Sequence, residues 1–148
     1  MIHHYSIAVH DPKQVCDVLA ALFGGTTGRF DPYPNSHTVW FGDEYGSAIE
    51  LYPAGTEMSP GVGESDAIFE HNPAASKFTA THAAISTTRS REEIFKAAQA
   101  QGWKAVECPR DGFSVIEFWI ENNVMIELLT PEMAADYLAV TRRFTSNA

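Results

Sequence analysis

Apolar and polar residues along this chain alternate, then recur at helical spacing, then alternate again, and the whole series runs through twice. From Ile2 to Val9 alternation puts Tyr5, Ile7 and Val9 on one side of a strand and His4, Ser6 and Ala8 on the other. Asp11-Pro12 then supplies an N-cap and a first-turn proline, and Val15, Val18, Leu19, Leu22 and Phe23 share a helix face until Gly24-Gly25. Between Thr26 and Asn35 the glycine and prolines at 28, 32 and 34 permit only a short or bent strand. His37 to Phe41 and Ser47 to Tyr52 read as two strands joined by a turn at Asp43-Glu44-Tyr45-Gly46.

The segment from Pro53 to Ser76, rich in Gly and Pro and without clear periodicity, reads as a connector. Thr81 to Thr87 is a second first strand, with His82, Ala84 and Ser86 on one face. Ser90-Arg91-Glu92-Glu93 is a capping box ahead of Ile94, Phe95, Ala97, Ala98 and Gln101, and Gly102 ends that helix. Trp103 to Val106, Ser114 to Ile120 and Val124 to Leu129 complete three further strands, the last two joined at Glu121-Asn122-Asn123. His4 maps to His82 and Gly24 to Gly102 at an offset of 78 residues, and Glu50 to Glu127 at 77. A period this long means a duplicated βαβββ module rather than a solenoid. The expected fold class is α+β, one domain over residues 1–148. Module 1 covers about 1–54, the connector about 55–77 and module 2 about 78–131. A terminal helix covers about 132–144, with Met133, Tyr137 and Val140 on its packing or dimer-contact side.

Two strands carry a carboxylate among apolar residues, Ala48-Ile49-Glu50-Leu51-Tyr52 and Val124-Met125-Ile126-Glu127-Leu128-Leu129. A carboxylate in such a strand is costly to bury unless it is paired, protonated or bound to a cation. Each module also places a His on its first strand, 46 residues before the Glu in the first copy and 45 in the second, among small residues that leave room beside it. An isolated strand His is ordinarily a core or edge residue; the repetition makes His4 and His82 candidate ligands. Two imidazoles and two carboxylates suit a borderline or hard divalent metal. With two-residue hairpin turns, Phe41 would lie opposite Glu50 and Phe118 opposite Glu127, shielding each carboxylate from water.

These residues are where the chain resembles the vicinal oxygen chelate superfamily, which includes glyoxalase I, methylmalonyl-CoA epimerase, extradiol dioxygenases and the fosfomycin and bleomycin resistance proteins. The resemblance rests on His4-Tyr5-Ser6-Ile7-Ala8-Val9 and His82-Ala83-Ala84-Ile85-Ser86, each followed by a helix and later by an Ile-Glu-Leu strand, and it runs from Ile2 to about Pro131. It implies two βαβββ modules forming a curved, U-shaped mixed sheet around a cavity, within one chain or across a homodimer. His4, Glu50, His82 and Glu127 would hold one divalent metal (Ni, Co, Zn, Mn, Mg or Fe), and Glu50 or Glu127 would double as catalytic base. The implied activity is a glyoxalase-like lyase or isomerase moving a proton beside a metal-chelated carbonyl or hydroxyl of a small substrate. A non-catalytic sequestering protein of the bleomycin-resistance type is the alternative. Ala8 and Ala54 stand where bacterial glyoxalase I typically has Arg and Asn for glutathione, and Glu50 stands where the epimerases usually have Gln.

The 10 Lys and Arg against 19 Asp and Glu give a formal charge of −9, which disfavours nucleic acid and anionic membranes as partners. No run approaches a membrane span, the first residues lack a signal-peptide layout, and Cys16 and Cys108 form no C-x-x-C pair, so a cytoplasmic protein with reduced thiols is expected. His3, by parity, faces away from His4, and His10 reads as a turn residue. His37 reaches the cavity only if its strand lines it, and His71 has no assignment. Arg29, Asp31 and Tyr33 fall near the expected cavity mouth, and Arg142 and Arg143 on the solvated side of the last helix.

Overall fold

The computed structural model describes residues 3–29, 33–59, 62, 67–76, 78 and 82–145. The chain divides into two compact units, Met1–Thr79 and Ala80–Ala148. In the first unit, strand β1 (His4–Val9) leads into helix α1 (Pro12–Phe23), followed by β2 (Thr26–Arg29), β3 (His37–Trp40) and β4 (Ala48–Pro53). The sheet order is β1-β4-β3-β2, with β1 parallel to β4 and the other pairs antiparallel. Helix α1 begins and ends where local chemistry requires. Asp11 caps it by accepting from the Gln14 amide at 2.9 Å, and Gly24 closes it at φ 73°, a left-handed conformation open to glycine at little cost.

Strand parity decides which side chains meet the helix. Ile7, Val9, Val39, Ile49 and Leu51 form a buried face with Val15, Cys16, Leu19 and Leu22 of α1. His4, Ser6, Ala8, Ala48, Glu50, Tyr52, Thr38 and Trp40 occupy the opposite face. The connector segment carries a strand pair of its own, β5 (Thr56–Ser59) and β6 (Ile68–His71). Phe69 of this hairpin stacks on Tyr52 with centroids 5.6 Å apart and lies 6.1 Å from the Tyr33 ring. The hairpin therefore sits over one end of the Glu50 face.

The second unit repeats the plan with β7 (Ala84–Ser86), α2 (Arg91–Gln101), β8 (Lys104–Pro109), β9 (Ser114–Ile120) and β10 (Val124–Leu129), in the order β7-β10-β9-β8 with β7 parallel to β10. The capping box at Ser90 and Glu93 forms, and Gly102 ends α2 at φ 68°. Ile116, Phe118, Ile120, Ile126 and Leu128 are buried on the α2 side with Ile94 and Ala98, and Trp103 meets Phe118 edge-on at 5.8 Å. Helix α3 (Pro131–Thr145) packs on the other face through Met133 and Tyr137, the latter edge-on to Phe113 at 5.1 Å. A cavity of about 160 Å³ remains between Ala84, Ser86 and Leu129 of the sheet and Ala134, Tyr137 and Leu138 of the helix. Among the described residues no helix is long and apolar enough to cross a membrane.

Several sequence expectations are corrected. The first strand of the second module is shorter than expected: His82 and Ala83 precede β7, although the Ala83 carbonyl still accepts from the Glu127 amide at 2.8 Å. Thr81, Ile2 and Asp31 lie outside the described residues. Strand β8 runs on to Pro109. The largest correction is register. Glu127 lies opposite Glu117, and Phe118 opposite Ile126, because the β9–β10 loop has three residues, with Glu121 and Asn122 at positive φ (52° and 55°). In the first unit Glu50 lies opposite Thr38, while Phe41 turns to the helix side and meets Phe23 at 4.7 Å.

Phe118 is fully buried at the centre of the second unit's core. Phe118→Ala should destabilise the protein by about 3–5 kcal/mol, read from urea or guanidinium unfolding; a loss below about 1 kcal/mol would mean that this face is not the core. Burial raises the Cys16 thiol to about 11, so in the native protein at pH 8 a soluble alkylating reagent should modify Cys108 well before Cys16, whose labelling should await unfolding.

Candidate metal and proton-transfer site

In the first unit the ladder β1-β4-β3 sets Ser6, Glu50 and Thr38 side by side on one face. This follows from parity, since Ile49 and Leu51 must enter the core and Glu50 is thereby turned to the other side. The Glu50 side chain is 14% exposed. The Ser6 hydroxyl donates to its Oε2 at 2.8 Å, and His4 Nε2 lies 3.8 Å from that oxygen. Among the described residues no lysine or arginine pairs with Glu50. The Thr38 hydroxyl beside it is buried and has no hydrogen-bond partner among the described residues, an arrangement that leaves polar capacity beside a carboxylate. Tyr52, two residues on and on the same face, has its phenol raised by burial and, secondarily, by the charge of Glu50. A half-buried carboxylate, an imidazole within 4 Å and small neighbours fit a divalent cation in donor type.

In the second unit Glu127 is equally sheltered, at 14% exposure, but is satisfied differently. Arg110, just past β8, donates through one Nη2 to Glu127 Oε1 at 2.8 Å and to Glu117 Oε1 at 3.1 Å. Trp119 Nε1 donates to the other Glu117 oxygen at 3.3 Å. The guanidinium holds the Glu117 carboxyl below the usual carboxylate range and is itself raised, first by Glu127 and then by Glu117. Arg110 and Glu117 had no assignment from sequence. The signal was the shared parity of Glu117 and Glu127, which only the three-residue loop brings into register.

His4 and Glu50 are thus brought together. His82 is exposed and adjoins Ala83, whose carbonyl bonds the Glu127 amide, but Glu127 pairs with Arg110. Among the described residues neither unit by itself gathers three His, Cys, Asp or Glu side chains into a metal-binding group. His37 is corrected: its register with Leu51 puts it on the helix side, away from Glu50, with Arg29 as its backbone register partner on β2. His3 bonds the Tyr45 carbonyl at 2.8 Å, His10 is exposed at the end of β1, and His71 lies on β6. Tyr33 reaches the Glu50 face indirectly, through Phe69. Arg142 and Arg143 lie on α3.

No family model matches the chain, and no curated protein matches it. Solved structures do. A fosfomycin resistance protein FosX from Mesorhizobium loti is 15% identical, with a TM-score of 0.52 over 86% of this chain and 88% of that one. FosX from Listeria monocytogenes, complexed with Mn(II) and sulfate, is 17% identical with a TM-score of 0.55 over 88% of each chain. A mutant of the Listeria protein, complexed with Mn(II) and 1S,2S-dihydroxypropylphosphonic acid, gives 17% and 0.56 over 86% of this chain and 87% of that one. The βαβββ units, the sheet order and this likeness define the fold: it is an α+β, glyoxalase-like fold shared with the FosX proteins.

The lowered Glu117 carboxyl makes a signed prediction. A carboxylate whose native pKa is depressed adds stability above its unfolded value of about 4.3, and that stability is lost as pH falls through the native value. Glu117→Gln should therefore be less stable than wild type at pH 7, with the difference shrinking below about pH 4 in urea midpoints. A difference unchanged down to pH 2 would contradict the ion pair.

Proposed function

We propose that this protein is a divalent-metal-dependent enzyme of the glyoxalase-like kind, a lyase or isomerase that moves a proton beside a carbonyl or hydroxyl of a small substrate. His4 and Glu50 of the first unit and His82 and Glu127 of the second are the proposed metal ligands. The observation that carries this reading is Glu50, a sheltered carboxylate with an imidazole 3.8 Å away and a small-residue face around it, and with no lysine or arginine among the described residues to satisfy it. The fold shared with proteins bound to Mn(II) supports it. A bound divalent ion would polarise the substrate oxygens and lower the barrier to removing the adjacent proton.

The chain's own groups supply the rest. Glu50 is the better placed base, because Ser6 holds Oε2 and leaves Oε1 available to take a proton. Ser6, Ala8 and Ala48 leave room for a compact substrate, while Tyr52 and Phe69 form an apolar wall at one end of the face. With Ala8 and Ala54 at the expected glutathione-contact positions, a substrate without glutathione is proposed. A cytoplasmic homodimer is the proposed working form. A second reading, a binding protein that sequesters a small molecule, draws on Arg110, which satisfies Glu127 without any metal.

Elemental analysis and Mn(II), Ni(II) and Zn(II) titration of untagged protein test the proposal. One bound metal per four-ligand set is expected, weakened at least about 100-fold in His4→Ala and in Glu50→Gln. On small α-hydroxy and α-keto substrates, Glu50→Gln should lower kcat by about 10²- to 10⁴-fold, the range for loss of a general base. Glu127→Gln should weaken metal binding and abolish turnover. Failure of the wild type to bind any of the three metals would favour the sequestering protein.

A further inference from the structure

The second unit holds two carboxylates where the first holds one. Glu117 and Glu127 are directly opposed across β9 and β10, whereas the residue opposite Glu50 in the first unit is Thr38. One guanidinium nitrogen serves both, at 2.8 Å from Glu127 Oε1 and 3.1 Å from Glu117 Oε1. Glu117 is held on both sides, by Arg110 and by the Trp119 indole at 3.3 Å. Among the described residues Glu127 Oε2 accepts no hydrogen bond, so this carboxylate is half committed. Cys108 lies near the same group, two residues before Arg110 on β8.

We propose that Arg110 is a resident cation competing with the metal for Glu127, and that Glu117 weakens the competition by drawing the guanidinium toward itself. The inference rests on the reading of Glu127 as a metal ligand. Arg110 acts through Glu127 and is a positioning residue, not a catalytic one. The physical basis is charge. A divalent ion at Glu127 would sit within a few ångströms of a fixed positive charge, and the repulsion in a partly desolvated site is substantial unless a second carboxylate offsets it. Glu117 is that carboxylate.

The test is Mn(II) affinity, measured by calorimetry and by the free-Mn(II) paramagnetic resonance signal, for wild type, Arg110→Gln, Arg110→Lys and Glu117→Gln, each shown to be folded by circular dichroism. Arg110→Gln should bind Mn(II) about tenfold more tightly, Glu117→Gln about tenfold more weakly, and Arg110→Lys within about threefold of wild type. A merely structural role for Arg110 would move all variants toward weaker binding. Wild-type binding that is lost in His4→Ala but unchanged or weakened in Arg110→Gln overturns the inference and leaves the proposed function standing. Binding gained only by Arg110→Gln supports the inference and removes the metal from the wild type's function. No binding by either protein overturns both.

Discussion

A carboxylate placed between two core residues of a strand must be partnered on the opposite face, and the site in each unit is organised by that constraint. Glu50 lies between buried Ile49 and Leu51, and Glu127 between buried Ile126 and Leu128. A shift of one residue in either strand would drive the carboxylate beneath α1 or α2 and expose the apolar pair, so the core that stabilises each unit also aims its acid. The helices contribute only indirectly. Asp11, Ser90 and the left-handed glycines at 24 and 102 fix where α1 and α2 begin and end, and the helices then choose the face on which apolar side chains are buried.

The two units answer the constraint with different chemistry. Glu50 is surrounded by a hydroxyl, an imidazole and small side chains and, among the described residues, by no lysine or arginine. Glu127 is met by a guanidinium that a second carboxylate shares, an arrangement that lowers the Glu117 carboxyl below its ordinary value. The two units thus place an acid on corresponding strands and surround it with different residues. The carboxylates of the two units thus differ in how fully the residues around them already satisfy them.

The faces that carry the acids are also partly covered by elements outside the repeat. In the first unit the β5–β6 hairpin lays Phe69 on Tyr52, and in the second α3 covers Leu129 and leaves a small cavity beside Ala84, the register partner of Glu127. Both additions shelter the neighbourhood of the carboxylates, which strengthens every charge interaction made there. The hairpin lies in a stretch whose glycines and prolines masked its strands, and its short, largely exposed segments bury too little to imprint an alternating pattern.

Sequence alone determined what depends on local spacing: the doubled βαβββ plan, the helix caps, the terminal helix, and the parity that puts His4 with Ser6 and Glu50 away from the core. These are legible because the periods of 2 and 3.6 and the capping chemistry act over a few residues. Tertiary structure decided which residues face one another across strands. Glu127 opposes Glu117 rather than Phe118, and is paired by an arginine 17 positions earlier in the chain, because the loop between β9 and β10 takes three residues with two in the left-handed region. Parity is written in each strand, but register is set by the turn that joins two of them. The partner of a buried charge follows from register, so it emerged only when the chain was folded.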